Sequence, residues 1–290
     1  MIPTFRQMFG RSEAPPDEAG DAAFFGALRL PGGAFKTTCA SRLDDSAALI
    51  ARRLRGGQRA PAVLDVGVSS GASTLRLLER LKAEGLSPRI TATDIAFHAF
   101  LVRLAPLVTA LVDAEGRPLR YEMAGFGIRP WTRRLDYATL AVAPRRLLNA
   151  LAAPRARRLA LGGCGARVSL ISPRLAGANV ALVEDDVTER NPRFVGRFDA
   201  VRVANVLTPG AMPAESIRRA CANLGAYLRG PGAVLVALRS AETRGVNAGS
   251  AFVLGRDGVL REAARIGGGS EVAGVIVAAG SRTRRDAVGG

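Results

Sequence analysis

The fold is decided by residues 62–74, which read AVLDVGVSSGAST. An apolar run carries Asp65 near its end, a turn of small residues follows, and an amphipathic run extends from Leu75 to Leu86. This order predicts a strand, a tight loop and a helix, the unit of a nucleotide-binding crossover. Small residues let backbone N–H groups approach a ligand closely, and a helix N-terminus favours polar or anionic groups. We therefore expect a ligand site at this turn.

The composition favours a folded chain and argues against several other classes. The chain has 290 residues, enough for one large domain or for a domain with an insertion, and 48% of them are hydrophobic. Its three cysteines (Cys39, Cys164 and Cys221) are scattered, and it has a single histidine. We expect no metal site, no disulfide framework, and no signal peptide or transmembrane segment. A cytoplasmic location is the expectation that fits these features.

The formal net charge of +16 raises the question of a polyanionic partner. All but two of the 41 basic residues are arginine, and they are spread through the chain instead of forming one block. That distribution is typical of a compositional bias and of solvated helix faces, and no nucleic-acid-binding motif accompanies it. A nucleic-acid partner is therefore an alternative that is not favoured. The excess field could still attract RNA, anionic lipid or an acidic substrate.

The sheet is expected to be mostly parallel. A helix predicted at 44–54 precedes the first strand, and the second strand, at 89–93, ends at Asp94. One helix and one short turn separate the two strands, which is the length that a parallel crossover needs. Three further parallel strands are predicted at 179–183, 197–207 and 233–238, with a helix at 214–228. Three closely spaced strands predict an antiparallel end, at 250–254, 258–264 and 271–279.

A long segment interrupts this order after the second strand. Residues 95–111 read as a helix broken at Pro106, and a hairpin, a helix at 144–161 and a strand at 167–171 follow. The segment exceeds an ordinary connection, so we predict an insertion at about 112–171. The domain prediction is an N-terminal tail and covering helix at 1–57, followed by a single domain at 58–290.

Several motifs occur in the order found in class I S-adenosylmethionine-dependent methyltransferases, which the chain resembles over about residues 62–279. The turn from Asp65 to Gly71 looks like the methionine-binding motif, with Ser69 in place of a glycine. Asp94 matches the acid that binds ribose hydroxyls. Residues 186–187 look like the pair that meets the adenine, and residues 198–207 resemble the fourth strand, whose end faces the transferred methyl group.

The resemblance implies a Rossmann-like α/β fold with helices on both faces and an antiparallel C-terminal hairpin. It implies S-adenosyl-L-methionine as the cofactor and methylation of an acceptor, a small molecule or a protein, as the activity. The cofactor-binding residues that it implies are Asp65, Gly67, Ser69, Ser70, Gly71, Asp94, Ile95, Asp186, Val187 and Asn205.

Within that superfamily, the chain looks most similar to the methyltransferases that act on chemotaxis receptors, but the match is not full. Residues 92–95 and 204–207 and the long insertion resemble theirs. Three features depart from their pattern: Ala72-Ser73 stands where they carry an acidic pair, Ala204 stands where they carry an arginine, and the N-terminal helical segment is shorter than theirs. Receptor methylation is therefore not transferred to this chain.

The catalytic residues are left open by the sequence. The methyl group of a sulfonium is already activated, so alignment of a nucleophile suffices and neither a metal nor a triad is required. The catalytic candidates are His98, expected on a helix after Asp94, and Asn205, expected near the cofactor. If the acceptor needs a base, His98 is a candidate, and Glu184 and Asp185 near the end of the third strand are others.

Two other functions are consistent with the same residues. The sequence Gly67-x-Ser69-x-x-Ala72 is a degraded dinucleotide fingerprint, and with Asp94 it permits a Rossmann-fold oxidoreductase that uses NAD. A non-catalytic binding protein with a methyltransferase-like fold is the third candidate. The acceptor and the oligomeric state are not specified by the sequence.

Overall fold

The computed structural model describes residues 2–10, 17–28, 43–57, 60–132, 134–240 and 247–279. The chain divides into two compact units. Unit 1 comprises Met1–Thr38 and Phe97–Arg174, and unit 2 comprises Cys39–Ala96 and Leu175–Gly290. This division differs from the predicted domain boundaries, because the N-terminal segment groups with the inserted residues and the insert begins near Phe97. Cys39 lies outside the described residues.

The elements are numbered in chain order. The strands are β1 (Ala62–Val66), β2 (Arg89–Asp94), β3 (His98–Ala105), β4 (Val108–Val112), β5 (Pro118–Met123), β6 (Phe126–Ile128), β7 (Ala166–Ser169), β8 (Val180–Glu184), β9 (Ala200–Ala204), β10 (Val234–Ser240), β11 (Asn247–Leu254) and β12 (Leu260–Ile266). The helices are α1 (Phe5–Phe9), α2 (Glu18–Phe25), α3 (Asp44–Leu54), α4 (Ala72–Ala83), α5 (Arg134–Ala138), α6 (Val142–Leu161), α7 (Pro173–Ala176), α8 (Ala214–Tyr227) and α9 (residues 273–279).

Unit 2 contains a seven-stranded sheet in the order β12-β11-β10-β9-β1-β2-β8. Neighbouring strands from β10 to β8 pair in parallel, whereas β11 pairs antiparallel with both β10 and β12. The order reverses between β1 and β9, which is where open α/β sheets bind ligands. The predicted fold class, a mostly parallel sheet with an antiparallel C-terminal hairpin, is confirmed.

Helices cover both faces of this sheet because each presents an apolar stripe to it. On one face, α3 buries Ala47, Ile50 and Leu54, which recur at helical spacing and pack with α4. On the other face, α8 buries Ile217 and Leu224 together with the apolar side chains of β9 and β10. The predicted helix at 44–54 is confirmed at both ends, and it packs on the sheet.

Unit 1 contains a five-stranded antiparallel sheet in the order β6-β5-β4-β3-β7. One face packs against α6 through Ala152 and Ala156, and the other packs against α1 and α2 through aromatic side chains that include Phe5 and Phe24. Neither α6 nor any other helix of the described residues is long and apolar enough to cross a membrane.

The predicted helix at 95–111 is wrong, because these residues form β3 and β4. Helices cover both faces of their sheet, so apolar side chains point both ways: Ala99 and Leu111 to one side, Val102 and Ala110 to the other. A strand that is buried on both faces shows no alternation of apolar and polar residues, so it reads as a continuous apolar run.

The N-terminal segment is not a loose tail over its described part. Thr4 and Gln7 form a capping box at the start of α1, and the side chain of Asp17 caps α2. Phe24 and Phe25 of α2 are fully buried. These caps and aromatic anchors define two short helices.

The predicted strand at 271–279 is also wrong, because residues 273–279 are helical. The segment is rich in valine, which favours strands. Val272 and Ile276 are four residues apart and both are buried in the core of unit 2. Packing at helical spacing therefore overrides the strand propensity of the sequence.

We predict that Phe24→Ala destabilises unit 1 by about 3–5 kcal/mol, because a fully buried ring is removed from a packed core. Phe126→Ala, the same change at a side chain that is 75% exposed, should alter stability by no more than about 0.5 kcal/mol. Trp131 is the only tryptophan of the chain and lies in unit 1, so its fluorescence during urea unfolding reports on this unit. Equal losses in the two variants would contradict the packing of α2 on the sheet.

Candidate functional site

The predicted ligand residues of unit 2 follow the C-terminal ends of four adjacent parallel strands. Thr93, at the end of β2, pairs with Val66 of β1 and with Val183 of β8, and Val66 also pairs with Val203 of β9. The loops after these strands therefore start at the same edge of the sheet. The edge includes the point between β1 and β9 where the strand order reverses.

The glycine turn after β1 is a succession of left-handed residues. The φ angles of Gly67, Ser69 and Gly71 are +74°, +59° and +85°. A serine in this region is uncommon and is tolerated only where neighbouring contacts hold it. The N–H groups of Gly67 and Val68 both donate to the carbonyl of Thr93, at 2.8 and 3.1 Å, so β2 fixes the start of the turn. Ser70 within the turn is buried.

The carboxylate of Asp94 holds the outer side of the same turn. Its Oδ2 accepts a hydrogen bond from Ser69 N at 2.7 Å, and its Oδ1 accepts one from Ile95 N at 2.9 Å. A carboxylate has about four lone-pair positions, so each oxygen can accept a further hydrogen bond from a ligand. Asp94 is partly exposed and Ile95 is 71% exposed. The Asp94 carboxylate is therefore fixed in position by the turn and accessible to a ligand.

Asp186 and Val187 lie in the loop after β8, next to Asp94. The backbone N–H of Asp185 donates to the Asp94 carbonyl at 2.9 Å, which joins the two loops. Asp186 Oδ1 accepts hydrogen bonds from Thr188 N and Thr188 Oγ1, both at 2.8 Å. The carbonyl of the buried Val187 accepts from Asn223 Nδ2 at 2.9 Å, a contact that fixes this loop on α8.

Asn205 follows β9 in a left-handed conformation with a φ of +60°. Its Oδ1 accepts a hydrogen bond from Ser240 N at 2.7 Å, and its own N–H donates to the Leu238 carbonyl at 2.9 Å. The side chain is exposed at the edge of the sheet and connects the ends of β9 and β10. Asparagine tolerates this backbone region better than most residues.

Asp65 is engaged in a buried ion pair with Arg202 of β9. Arg202 Nε donates to Asp65 Oδ1 at 2.8 Å and Nη2 donates to Oδ2 at 2.6 Å, with side chains that are 1% and 3% exposed. Thr74 Oγ1 donates to Oδ2 at 2.7 Å, and Arg202 Nη2 also donates to the Ser73 carbonyl at 3.1 Å. Both carboxylate oxygens of Asp65 are therefore used within the protein.

Sequence reasoning missed Arg202, although a signal for it was present. Arginine is almost never buried without a partner, yet Arg202 stands within an apolar strand, as Asp65 does. The two residues are in register across β1 and β9. Two opposite charges inside separate apolar strands are a sign that the strands are neighbours.

The two glycines of the turn are needed for packing within the protein. A Cβ on Gly67 would lie 2.1 Å from Val206 Cγ2, and one on Gly71 would lie 2.1 Å from Leu175 Cδ2. The close approach that the sequence predicts at these positions is therefore made by side chains of unit 2. α4 begins at Ala72, and its N-cap residue, Gly71, offers no side-chain acceptor to the first-turn N–H groups.

The two catalytic candidates belong to different units. His98 lies in β3 of unit 1, where it is opposite Ser169 of β7 and its Nδ1 is 2.9 Å from Arg167 Nη2. It is therefore on a strand and not on the predicted helix. Asn205 belongs to unit 2.

A cavity of about 900 Å³ lies along α8 and α9. Its lining includes Arg190, Pro209, Ile217, Arg219 and Val275, but not the glycine turn or Asp94. The cavity is thus distinct from the residues that the motifs single out. Across the described residues, no three His, Cys, Asp or Glu side chains come together as a metal site would require.

The fold is distantly similar to that of methyltransferases of known structure. The sugar N-methyltransferase KedS8 from Streptoalloteichus sp. ATCC 53650 is 13% identical, with 84% of this chain and 78% of that chain covered and a TM-score of 0.35. The N-methyltransferase NodS from Bradyrhizobium japonicum WM9 is 16% identical, with 70% of each chain covered and a TM-score of 0.32.

The similarity extends to another class of enzyme. A protein from Rhodobacter sphaeroides described as a Zn-dependent alcohol dehydrogenase is 16% identical, with 66% of this chain and 45% of that chain covered and a TM-score of 0.31. The chain spans between 30% and 45% of the length of four of the structures it resembles. Likeness at this level does not distinguish substrates or subfamilies, so the resemblance to chemotaxis methyltransferases stays a prediction.

No protein-family model matches the chain, and no curated protein matches it either. The chemistry of the site must therefore be argued from its own residues.

We predict that Asp65→Asn destabilises unit 2 by about 3–5 kcal/mol, because it leaves the buried charge of Arg202 uncompensated. Asp44→Asn, in an exposed pair with Arg76, should change stability by less than about 1 kcal/mol. Urea unfolding followed by far-UV circular dichroism compares the two. The double change of Asp65 and Arg202 to leucine should recover part of the loss. Equal effects of the two Asp→Asn changes would show that the buried pair is not needed.

We predict that Gly67→Ala is more destabilising than Gly85→Ala. Both glycines have nearly the same positive φ, +74° and +77°, but a Cβ on Gly85 meets nothing within 4 Å. Gly85→Ala should therefore cost only the backbone strain of about 1–2 kcal/mol, and Gly67→Ala should cost that strain plus the clash with Val206. Val206→Ala should relieve the excess in the Gly67→Ala background, as measured by urea unfolding. An unrelieved excess would place the clash elsewhere.

Proposed function

We propose that unit 2 binds S-adenosyl-L-methionine at the C-terminal edge of β1, β2, β8 and β9 and transfers its methyl group to an acceptor, a small molecule or a protein. The observation that carries the proposal is the Asp94 carboxylate, which accepts hydrogen bonds from two backbone N–H groups and can accept more, at the edge of the sheet that includes the strand-order reversal. A ribose diol is the ligand group that such a carboxylate suits.

The residues at the edge fit the nucleoside half of the cofactor. Asp94 would accept hydrogen bonds from the ribose hydroxyls, and Ile95, which is exposed beside it, would contact the nucleoside. Asp186 would accept from the adenine amino group through Oδ2, since Oδ1 is used by Thr188. The backbone N–H of Val187 would donate to the adenine ring.

The amino-acid half would be held by backbone groups more than by Asp65. The first-turn N–H groups of α4, together with that of Ser70, are suited to a carboxylate, whereas the N–H of Ser69 already donates to Asp94. Asp65 would act at a distance, because Arg202 and Thr74 already occupy both of its oxygens. Its role would be to position the turn.

Methyl transfer from a sulfonium requires few catalytic groups from the protein. The bound sulfonium supplies an activated methyl group, so the protein has to bind it, exclude water and align an acceptor. Asn205, exposed after β9, would offer its side-chain amide to an acceptor or to the cofactor. A neutral amide cannot act as a general base at ordinary pH, so we place Asn205 in orientation and not in proton transfer.

A non-catalytic binding protein is the second candidate. It is favoured by Asp65, whose carboxylate is consumed in a buried pair, and by the packing of Val206 and Leu175 against the glycines. Such a protein would bind the nucleoside but would not turn it over. An oxidoreductase using NAD would share the Asp94 contact, so only the ligand measured in solution separates it from the others.

Isothermal titration calorimetry with S-adenosylmethionine, S-adenosylhomocysteine, NAD⁺ and NADH tests the proposal. We expect binding of the two sulfur cofactors. Asp94→Ala should weaken it roughly ten- to a hundredfold, because a charge-assisted hydrogen bond is lost. Asp94→Asn, which keeps one acceptor for the turn, should weaken it less. Asp44→Ala, an exposed acid of the same unit, is the matched control and should leave the affinity unchanged.

Three outcomes distinguish the candidates. Binding of NAD⁺ or NADH alone would overturn the methyltransferase proposal. Binding of S-adenosylmethionine without methyl transfer to small-molecule or protein acceptors, followed with a radiolabelled methyl group, would favour the non-catalytic candidate. An unchanged affinity in a folded Asp94→Ala variant would show that the ribose site is assigned to the wrong residue.

A further inference from the structure

The outer face of α6 is apolar although it points to solvent. Only Ala152 and Ala156 of this 20-residue helix are buried. Leu147, Leu151 and Leu161 are 62%, 69% and 61% exposed. A single exposed leucine needs no explanation, but several on one helix do.

The exposed leucines form one stripe. At 3.6 residues per turn, each residue advances about 100°, so Leu151 and Leu161 lie about 40° to either side of Leu147. Pro154 falls between them, and the buried Ala152 and Ala156 fall on the opposite side. From Leu147 to Leu161 the stripe is about 21 Å long, at a rise of 1.5 Å per residue. The helix therefore has two apolar faces, and the sheet covers one of them.

Arginines flank this outer stripe. α6 contains five arginines and no acidic residue. Arg155, Arg157 and Arg158 are exposed, and none of the three forms an ion pair with a residue that the structure describes. By the same rotation, Arg155 and Arg157 lie about 80° to either side of Leu147, and Arg158 lies about 20° from it, within the stripe. Their long side chains can place the guanidinium groups at the level of a polar surface while the leucines enter an apolar layer.

We propose that α6 of unit 1 binds an anionic lipid surface, with its axis in the plane of the interface and its leucines among the acyl chains. The combination of an exposed leucine stripe with exposed arginines on both flanks and within it, none of them in an ion pair with a described residue, fits such a surface. A second copy of the same helix would bring like charges together. The phosphates of a nucleic acid would bind the arginines but would give the leucines no apolar contact. The assignment is independent of the proposed activity of unit 2.

Co-sedimentation with vesicles tests the assignment, using vesicles of three parts phosphatidylcholine to one part phosphatidylserine and vesicles of phosphatidylcholine alone. We expect binding to the first, little to the second, and a marked loss at high salt. Leu147→Gln with Leu151→Gln should weaken binding by about tenfold or more. Arg155→Gln with Arg158→Gln should weaken it roughly thirtyfold, since two charges leave the surface.

Matched controls keep the test specific to α6. Arg193→Gln with Arg197→Gln removes the same charge from exposed positions of unit 2 and should have much less effect. Leu107→Gln changes a leucine of unit 1 that is 69% exposed but lies between β3 and β4, and it should leave binding unchanged. Circular dichroism confirms that each variant is folded.

Four results would overturn the assignment. They are equal binding to neutral vesicles, no effect of the α6 leucines, a loss with Leu107→Gln as large as that of the leucine pair, and a dimer in light scattering that the leucine pair dissociates. RNA binding in a mobility-shift assay that depends on the arginines but not on the leucines, without vesicle binding, would assign the face to nucleic acid instead.

Discussion

The buried pair of Asp65 and Arg202 is the interaction on which the candidate site depends. It joins β1 to β9 at the reversal of strand order. It also binds the start of α4, because Thr74 Oγ1 donates to Asp65 and Arg202 donates to the Ser73 carbonyl. A buried charge is tolerated only when it is paired and hydrogen-bonded, so these elements have little freedom to move apart. Both ends of the glycine turn are thereby fixed by one guanidinium group.

A second carboxylate, Asp94, organises the same turn from its accessible side. It holds Ser69, while its own carbonyl accepts from Asp185 in the loop after β8. The two acids therefore have different roles, because one is buried and the other is accessible. Asp65 is buried, accepts three hydrogen bonds from protein groups and positions the turn, whereas Asp94 is accessible and keeps hydrogen-bonding capacity for a ligand. Motif matching alone assigns both acids to cofactor binding. Their different burial and hydrogen bonding indicate that they have different roles.

Sequence patterns predicted the parallel strands and their helices, because each of these has a clear period and clear boundaries. They failed where burial hides the period. β3 and β4 are covered on both faces and read as a helix, and the valine-rich α9 reads as a strand. At the candidate site, the turn, Asp94 and Asp186 could be placed by motif and strand order. Arg202 was missed, because its charge inside an apolar strand indicates a buried partner but its pairing with Asp65 depends on which distant strands become neighbours.

The arginines of this chain occupy two kinds of environment in the structure, buried and exposed. Arg202 is neutralised by a buried acid, and Arg120 is buried over the rings of Phe5 and Phe24, where burial lowers the pKa of its guanidinium. These two arginines make contacts in the interior and contribute little to the electrostatic potential at the surface. Arg155, Arg157 and Arg158 of α6 are exposed, lie near exposed leucines, and form no ion pair with a described residue. A net charge of +16 therefore identifies no partner by itself. The informative quantity is the charge that the described residues leave uncompensated on one face, next to exposed apolar surface.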